Sequence, residues 1–504
     1  MFVQNIIITF ATSYCMFYFY RKKDIMCTII GRKQEIKTLE RYRDSGRAEF
    51  VAVYGRRRVG KTFLVNEVLA DNMVFRHTGL SPYDRKRKVS MKAQLQNFQY
   101  SLIRYGMENI DQPKSWMEAF FLLEQLLEQR DNGTRQVVFL DELPWMDTAR
   151  SGFLTALEAF WNGWGNARHN LFLVVCGSAT SWMLDNLINN KGGLYGRLTG
   201  EMKLSPFSLR ECEEFYESRN IKMSRYNVAQ AYMVLGGIPF YMDFFNPSLS
   251  LAQNIDALFF DRRPKLGDEF ERLFNSVFDN AEGCMKIIRV LGQRHAGYTR
   301  DEIAKKAKMN ANGDFSKMLK ALIGSDFVVK YVPFGKGVRE EHYKLSDCFC
   351  WFWIHFKEAR NITETDYWQH HLKESEVAGW RGIAFEEVCL QHITQIKMGL
   401  QIAGVSSKES ALIVKGDAGK DGMQIDLLID RADDVVNVCE MKYSKGSFAV
   451  TKSYAETLTK RLSMLEALYP AKTFHLTFVG VNPIERNEHS DVFTSVITAD
   501  DLFR

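Results

Sequence analysis

The chain has 504 residues, 46% of them hydrophobic and 25% charged, and carries a net charge of +5. That balance belongs to a globular protein and excludes a largely disordered or low-complexity chain, while at ~100–200 residues per domain the length calls for more than one core. So small a net charge permits nucleic-acid contact on a local patch without demanding it.

Residues 6–20 form an apolar run followed by Arg21, Lys22 and Lys23. One reading is a short membrane anchor with a basic flank; the other is an extension ahead of a true start at Met26, since the globular pattern begins directly afterwards at Thr28. The run is short for a bilayer, so the second is preferred, and no membrane association is expected unless residues 6–20 are expressed. The nine cysteines are scattered, and the close pair Cys348 and Cys350 has no second pair at zinc spacing. They read as reduced thiols of a cytoplasmic protein.

A β-type run, Glu49–Tyr54, feeds directly into Gly55-Arg56-Arg57-Arg58-Val59-Gly60-Lys61-Thr62, and Phe63, Leu64, Val65 and Val68 continue at helical spacing. Strand, glycine loop and helix in this order form a phosphate-binding loop. Its glycines turn backbone N–H groups toward phosphates, Lys61 reaches the β/γ oxygens, and the Thr62 hydroxyl ligates Mg2+ at a helix N-terminus that favours anions. ATP and Mg2+ are therefore the expected cofactors. A second buried-type run, Val137–Leu140, ends in Asp141-Glu142, where Asp141 would hold the metal and Glu142 would orient and deprotonate the attacking water. A third, Leu171–Cys176, ends in Gly177-Ser178, which places Ser178 as a sensor between the first two strands. Arg197 follows the Asn189–Gly193 loop and has two readings, stabilising transition-state charge in its own or a neighbouring chain, or forming a surface ion pair. A homo-oligomer is accordingly left open.

Five motifs in order, Ile29-Ile30-Gly31-Arg32-Lys33-Gln34-Glu35, Asp141-Glu142-Leu143-Pro144-Trp145, Gly196-Arg197, Leu204-Ser205-Pro206-Phe207 and Gly236-Gly237-Ile238-Pro239, resemble the archaeal-type ATPase family of the STAND group of AAA+-related NTPases. The resemblance spans roughly residues 26–265. It implies that Gly31 and Arg32 pack near the adenine and that Pro239 belongs to a helical lid closing over the nucleotide. Lys33 departs from the family, where glutamate is common.

Beyond Cys284 the periodicity is helical through Leu291; Thr299 and Glu302 form a capping box; and Phe315, Met318, Leu319 and Leu322 make one apolar stripe on a helix that Asp314 can cap. Two strands, Phe327–Val332 and His342–Leu345, flank Pro333–Gly337, completing a winged-helix order. Lys305, Lys306, Lys308, Lys317 and Lys320 offer a basic face for double-stranded DNA or another nucleic acid, or are ordinary solvated lysines of a spacer.

The last third carries Gln424–Asp430 and Val435–Lys442, strand-like runs that present Asp426 and a Glu440-x-Lys442 pair. Period two puts Glu440 and Lys442 on one face. If the strands pair, Asp426 and Glu440 can share a divalent metal, with Lys442 at the scissile phosphate and Glu386, on a helix over Ile383–Ile396, as third carboxylate. The pattern resembles the PD-(D/E)xK superfamily, in particular the restriction-endonuclease-like domain of unassigned function that follows archaeal-type ATPases. The expected architecture is multidomain α/β: an extension (1–25), a P-loop ATPase core with parallel sheet (26–205), a helical lid (206–265), a winged-helix module (266–356) and a nuclease-like α/β domain (357–504).

Overall fold

The computed structural model describes residues 29–81, 83–84, 87–358, 364–414 and 422–504. Helix α1 (Lys33–Arg43) leads into β1 (Glu49–Tyr54), the phosphate-binding loop and α2 (Lys61–Leu69); then come β2 (Met73–Thr78), α3 (Met91–Arg104), α4 (Trp116–Gln129), β3 (Gln136–Asp141), α5 (Phe153–Gly163), β4 (Leu171–Gly177) and β5 (Gly200–Lys203). The strands form an all-parallel sheet in the order β2-β3-β4-β1-β5. The strand expected between the first two, β4, thus lies between β1 and β3. Strand β1 is buried along its whole length, as a central parallel strand must be. Val51 and Val53 face α1 and α2, while Phe50, Ala52 and Tyr54 face the aromatic layer of α3, α4 and α5, so the strand's period of two feeds two cores.

The lid follows as α6 (Leu209–Ser218), α7 (Arg225–Leu235), a single turn Pro239–Met242 and α8 (Leu251–Phe259). A capping box between Ser208 and Glu211 opens α6. The Phe207 N–H donates to Gly237 O at 2.8 Å, tying the Leu204–Phe207 segment to the Gly-Gly turn.

The middle module comprises α9 (Glu269–Val277), α10 (Ala281–Leu291), β6 (Tyr298–Thr299), α11 (Arg300–Lys306), α12 (Gly313–Gly324), β7 (Val328–Tyr331) and β8 (His342–Leu345), with the antiparallel order β6-β8-β7. The capping box at Thr299 and the buried stripe Phe315, Met318, Leu319 and Leu322 are both present. Asp314 does not cap α12. The cap is Asn312, whose side chain accepts from the Phe315 N–H, leaving Asp314 inside the first turn. Helix α12 also leans on the ATPase core: Lys320 lies 2.5 Å from Asp185, and Lys317 lies 3.7 Å from Asp314 in its own helix.

The C-terminal sheet is built from α13 (Ser375–Gln391), β9 (Ser407–Val414), β10 (Met423–Arg431), β11 (Val435–Lys442), α14 (Lys452–Leu468), β12 (Thr473–Gly480) and β13 (Ser495–Ile497), in chain order across the sheet. Strands β9, β10 and β11 are antiparallel; β11, β12 and β13 are parallel. The helix expected over Ile383–Ile396 begins earlier and breaks at His392. The His392 ring holds Val388 O at 2.7 Å and accepts from the Leu209 N–H at 2.9 Å, which pulls the chain out of helical geometry toward the lid. Among the described residues no helix is long and apolar enough to cross a membrane; residues 6–20 lie outside them.

Candidate functional site

Gly55 and Gly60 sit at φ +138° and +96°, conformations that side chains resist, and a Cβ at residue 55 would fall 2.3 Å from Leu204 O. The loop can therefore close only as glycine. Within it, Lys61 Nζ donates to the carbonyls of Gly55 and Arg56 at 2.8 and 2.9 Å. Thr62 Oγ1 donates to both Asp141 carboxylate oxygens at 3.1 and 3.0 Å, so the hydroxyl at the start of α2 and the acid at the end of β3 meet. A hydroxyl and a carboxylate converging at a helix N-terminus are oxygen donors suited to Mg2+.

Glu142 adopts the left-handed conformation (φ +49°), costly for a non-glycine residue and kept where its surroundings over-determine it. Those surroundings are Ser178, whose N–H reaches Glu142 Oε2 at 3.1 Å and whose hydroxyl lies 3.0 and 2.8 Å from the two carboxylate oxygens. Ser178 is fully buried and orients the glutamate. Glu142 lines a cavity of about 490 Å³ together with Arg57, Arg58, Val59, Gly60, Lys61, Thr62, Phe63, Arg32 and Pro239.

The same cavity takes Ile29, Ile30, Phe207, Phe215, Arg219, Phe240 and Asp243, none of which had been assigned to the site from sequence. They supply an apolar wall with a charged pair, Arg219 to Asp243 at 3.2 Å. The Gly-x-Pro turn marks this region of the lid, but the lid's folding back over the loop is a tertiary fact.

Two expectations need correction. The Arg56 side chain does not face the nucleotide cavity: it is buried in an ion pair with Asp347, with its guanidinium 4.9 Å from the Phe327 ring. Asp347 caps the helix Cys348–Phe352, and its buried charge demands a cation, which Arg56 supplies. Gly31 does not line the cavity; its φ of +62° and the approach of Glu211, which accepts from the Arg32 N–H at 2.9 Å, account for the glycine. Arg32 itself lies against the loop, donating to Ser205 O at 2.6 Å and Val59 O at 3.3 Å, over the Phe207 ring at 4.7 Å. Arg197 is exposed and does not line the cavity of its own chain, which leaves the surface reading and action in a neighbouring chain.

In the C-terminal sheet the antiparallel pairing of β10 with β11 runs from Asp430 opposite Val436 to Leu427 opposite Cys439. Asp426 and Glu386 do come together, their carboxylates lying with a ring nitrogen of His295 within 4.8 Å of one another. Glu440 is a correction, since it stands outside that group. Its Oε1 lies 2.7 Å from Lys442 Nζ and accepts from the Tyr454 hydroxyl at 2.5 Å, while Arg461 is 3.6 Å from Oε2. Sharing a strand face makes Glu440 and Lys442 each other's counterions. Burial, followed by the charge of Asp426, pushes Glu386 up to about 8, with Lys344 and Lys442 partly offsetting the rise. A buried carboxyl facing a second carboxylate is a donor pair whose charge a divalent cation would offset. His295, from the loop between α10 and β6, was not anticipated; no local pattern marks it.

A second cavity of about 660 Å³ is lined by residues of all three modules, among them Arg32, Arg56, His295, Asp347, Glu387 and Asp426.

A central parallel sheet whose P-loop strand is separated from the acidic strand by a third, with lysine, threonine, aspartate and glutamate converging at their ends, defines a P-loop nucleotide-hydrolysing fold. Residues 29–244 match the family described as an ATPase domain predominantly from Archaea. This part of the chain is similar to an ATPase domain of that archaeal type. An uncharacterized protein of Methanocaldococcus jannaschii is 23% identical over 374 residues, covering 73% of this chain and 77% of the relative. An uncharacterized ATP-binding protein of the same organism is 40% identical over 47 residues, 9% of this chain and 80% of that one. Among solved structures, a Walker-type ATPase of Pyrococcus abyssi aligns with a TM-score of 0.46 at 18% identity, covering 65% of this chain and 96% of that one.

Proposed function

We propose that the protein is a Mg2+-dependent ATPase whose nucleotide cycle controls a DNA-directed, metal-dependent phosphodiester-cleaving domain at its C-terminal end. The observation supporting this reading is the convergence of Glu386 and Asp426, the latter lining a cavity that Arg32 of the nucleotide site also lines, with Lys442 near Glu386 and paired to Glu440. In hydrolysis, Lys61 and the loop N–H groups bind the phosphates, Thr62 and Asp141 hold the Mg2+, and Glu142, oriented by Ser178, takes the proton of the attacking water. In cleavage, Glu386 and Asp426 would hold a divalent ion, which would supply positive charge at the phosphate, while Lys442 offsets the developing charge and Glu440 positions Lys442. The basic face of the middle module would contact duplex backbone.

One observation favours a second reading, a nucleotide-dependent scaffold that cuts nothing: Lys442 is engaged by Glu440 and Lys320 by Asp185. Purified protein is tested for ATP hydrolysis and for nicking of DNA with Mg2+ or Mn2+. Loss of nicking in Lys442→Ala with ATPase activity retained supports cleavage; no nicking of any DNA or RNA by the wild type, with ATP turnover intact, overturns it in favour of the scaffold.

A further inference from the structure

We infer that the divalent-cation site of the C-terminal domain is composite, completed by His295 of the middle module, whose Nδ1 joins Glu386 and Asp426 as a third protein ligand. The inference rests on the cation site of the reading above and adds a ligand from another part of the chain.

The geometry is that of a site about to close. His295 Nδ1 lies 3.3 Å from Glu386 Oε2 and 4.0 Å from Asp426 Oδ1. Bonds of about 2.0–2.2 Å to a central ion leave neighbouring donors roughly 3–4 Å apart, so the three atoms reach a common centre by small side-chain shifts. The other side of the ring is arranged to match. His295 Nε2 is buried without a hydrogen-bond partner and faces Glu387 Oε2 at 3.9 Å. Glu387 is itself fixed by Lys344, 2.8 Å away. Once hydrogen-bonded, a carboxylate behind the imidazole would hold the proton on Nε2, leaving Nδ1 as the donor atom and raising its basicity. A tilt that brings Nδ1 onto the ion can bring Nε2–H within reach of Glu387, satisfying the orphaned ring nitrogen.

One imidazole and two carboxylates form a donor set suited to Mn2+ or Zn2+ over Mg2+, which prefers oxygen alone. His295 is borne by the loop after α10, whereas the carboxylates stand on α13 and β10. Cation binding and docking of the middle module are therefore linked, each favouring the other by the same free energy. The site is whole only in the docked arrangement.

The test uses the full chain without nucleotide and Mn2+ alone as probe, followed by electron paramagnetic resonance. The expected result is a bound Mn2+ with nitrogen-14 coupling from a directly ligated imidazole. Glu386→Gln and Asp426→Asn should abolish the site. His295→Ala should remove the coupling and weaken Mn2+ binding by about 10–100-fold. His295→Gln, closer in volume, repeats the measurement should alanine disturb packing. Mn2+ ligated by oxygen alone in the wild type, affinity unchanged in both His295 variants, or no uptake by folded wild-type protein would each overturn the inference. DNA cleavage is not part of the readout, so a chain that binds Mn2+ through His295 but cuts nothing would refute the nuclease reading alone.

Discussion

Replacing Ser178 with alanine isolates the part of ATP hydrolysis that depends on where Glu142 points. In the native structure the glutamate receives three contacts from this one residue, two from the hydroxyl at 3.0 and 2.8 Å and one from the backbone N–H at 3.1 Å. Alanine deletes the hydroxyl and keeps the N–H, so the carboxylate loses its best partner without becoming wholly unpaired. A hydrogen bond to a charged group contributes about 1.5–3 kcal/mol, and the surviving N–H places the loss near the lower end, about 1.5 kcal/mol. At about 1.4 kcal/mol per decade, kcat should fall by roughly tenfold. KM for ATP should hardly move, because Ser178 does not line the nucleotide cavity. Steady-state turnover across ATP concentrations separates the two parameters, and Glu142→Gln gives the floor. An unchanged kcat in Ser178→Ala, or a defect confined to KM, would refute the assignment of Ser178 as the residue that positions the base.

Gly55→Ala should abolish nucleotide binding and destabilise the ATPase core by more than about 1 kcal/mol, since the new Cβ meets Leu204 O in a left-handed conformation; fluorescent-nucleotide titration and urea unfolding measure the two effects. Asp347→Ala should cost about 3–5 kcal/mol in chemical denaturation, because it strands a buried guanidinium, whereas Lys320→Ala, which opens an exposed pair, should stay within about 0.5 kcal/mol. His77 is buried with its Nδ1 2.8 Å from Ser101 Oγ, and burial pulls it down to about 3. The unfolded chain therefore takes up a proton below the ordinary histidine value of 6.5 while the folded chain does not, so this contribution is full above pH 6.5 and is lost, at about 1.4 kcal/mol per unit, as the pH falls toward 3. His77→Gln should flatten that limb of a stability–pH profile.

What could be read from the sequence is what local chemistry fixes. Gly55 to Thr62 declared themselves because the strand, loop and helix that make a phosphate site are contiguous. The same holds for the capping box at Thr299 and the stripe from Phe315 to Leu322, each set by spacings within one or two helical turns. Asp426 and Glu386 were legible as acids in strand and helix patterns, yet their meeting depends on the packing of α13 against the sheet. Glu440 was misread because the period of two that aligned it with Lys442 also lets the pair neutralise itself, and Tyr454 then caps the same oxygen from a helix. His295 carries no local signature, since what gives it chemistry arrives from another module. Arg56 stands inside the motif itself and still turns away, because Asp347, far along the chain, offers a stronger demand for its charge than the loop does.

That last contact bears on how the ATPase could act on the rest of the chain. Of the loop's three consecutive arginines, Arg57 lines the nucleotide cavity, Arg56 is committed to Asp347, and Arg58, at the cavity's edge, lies 2.7 Å from Glu269 of α9 and over the Phe240 ring of the lid. Two of the three thus tie the phosphate loop to elements outside the sheet. Breaking a buried pair of this kind costs about 3–5 kcal/mol, so at about 4 kcal/mol the contact opens spontaneously in roughly one molecule in a thousand. A ligand present at 100 to 1,000 times its dissociation constant supplies about 2.7–4.1 kcal/mol. The two magnitudes match, so a nucleotide that favours one loop conformation can shift the pair without leaving it open at rest. Only differential affinity counts in that balance: a nucleotide held equally well by both loop conformations would leave Arg56 where it is, however tightly it bound.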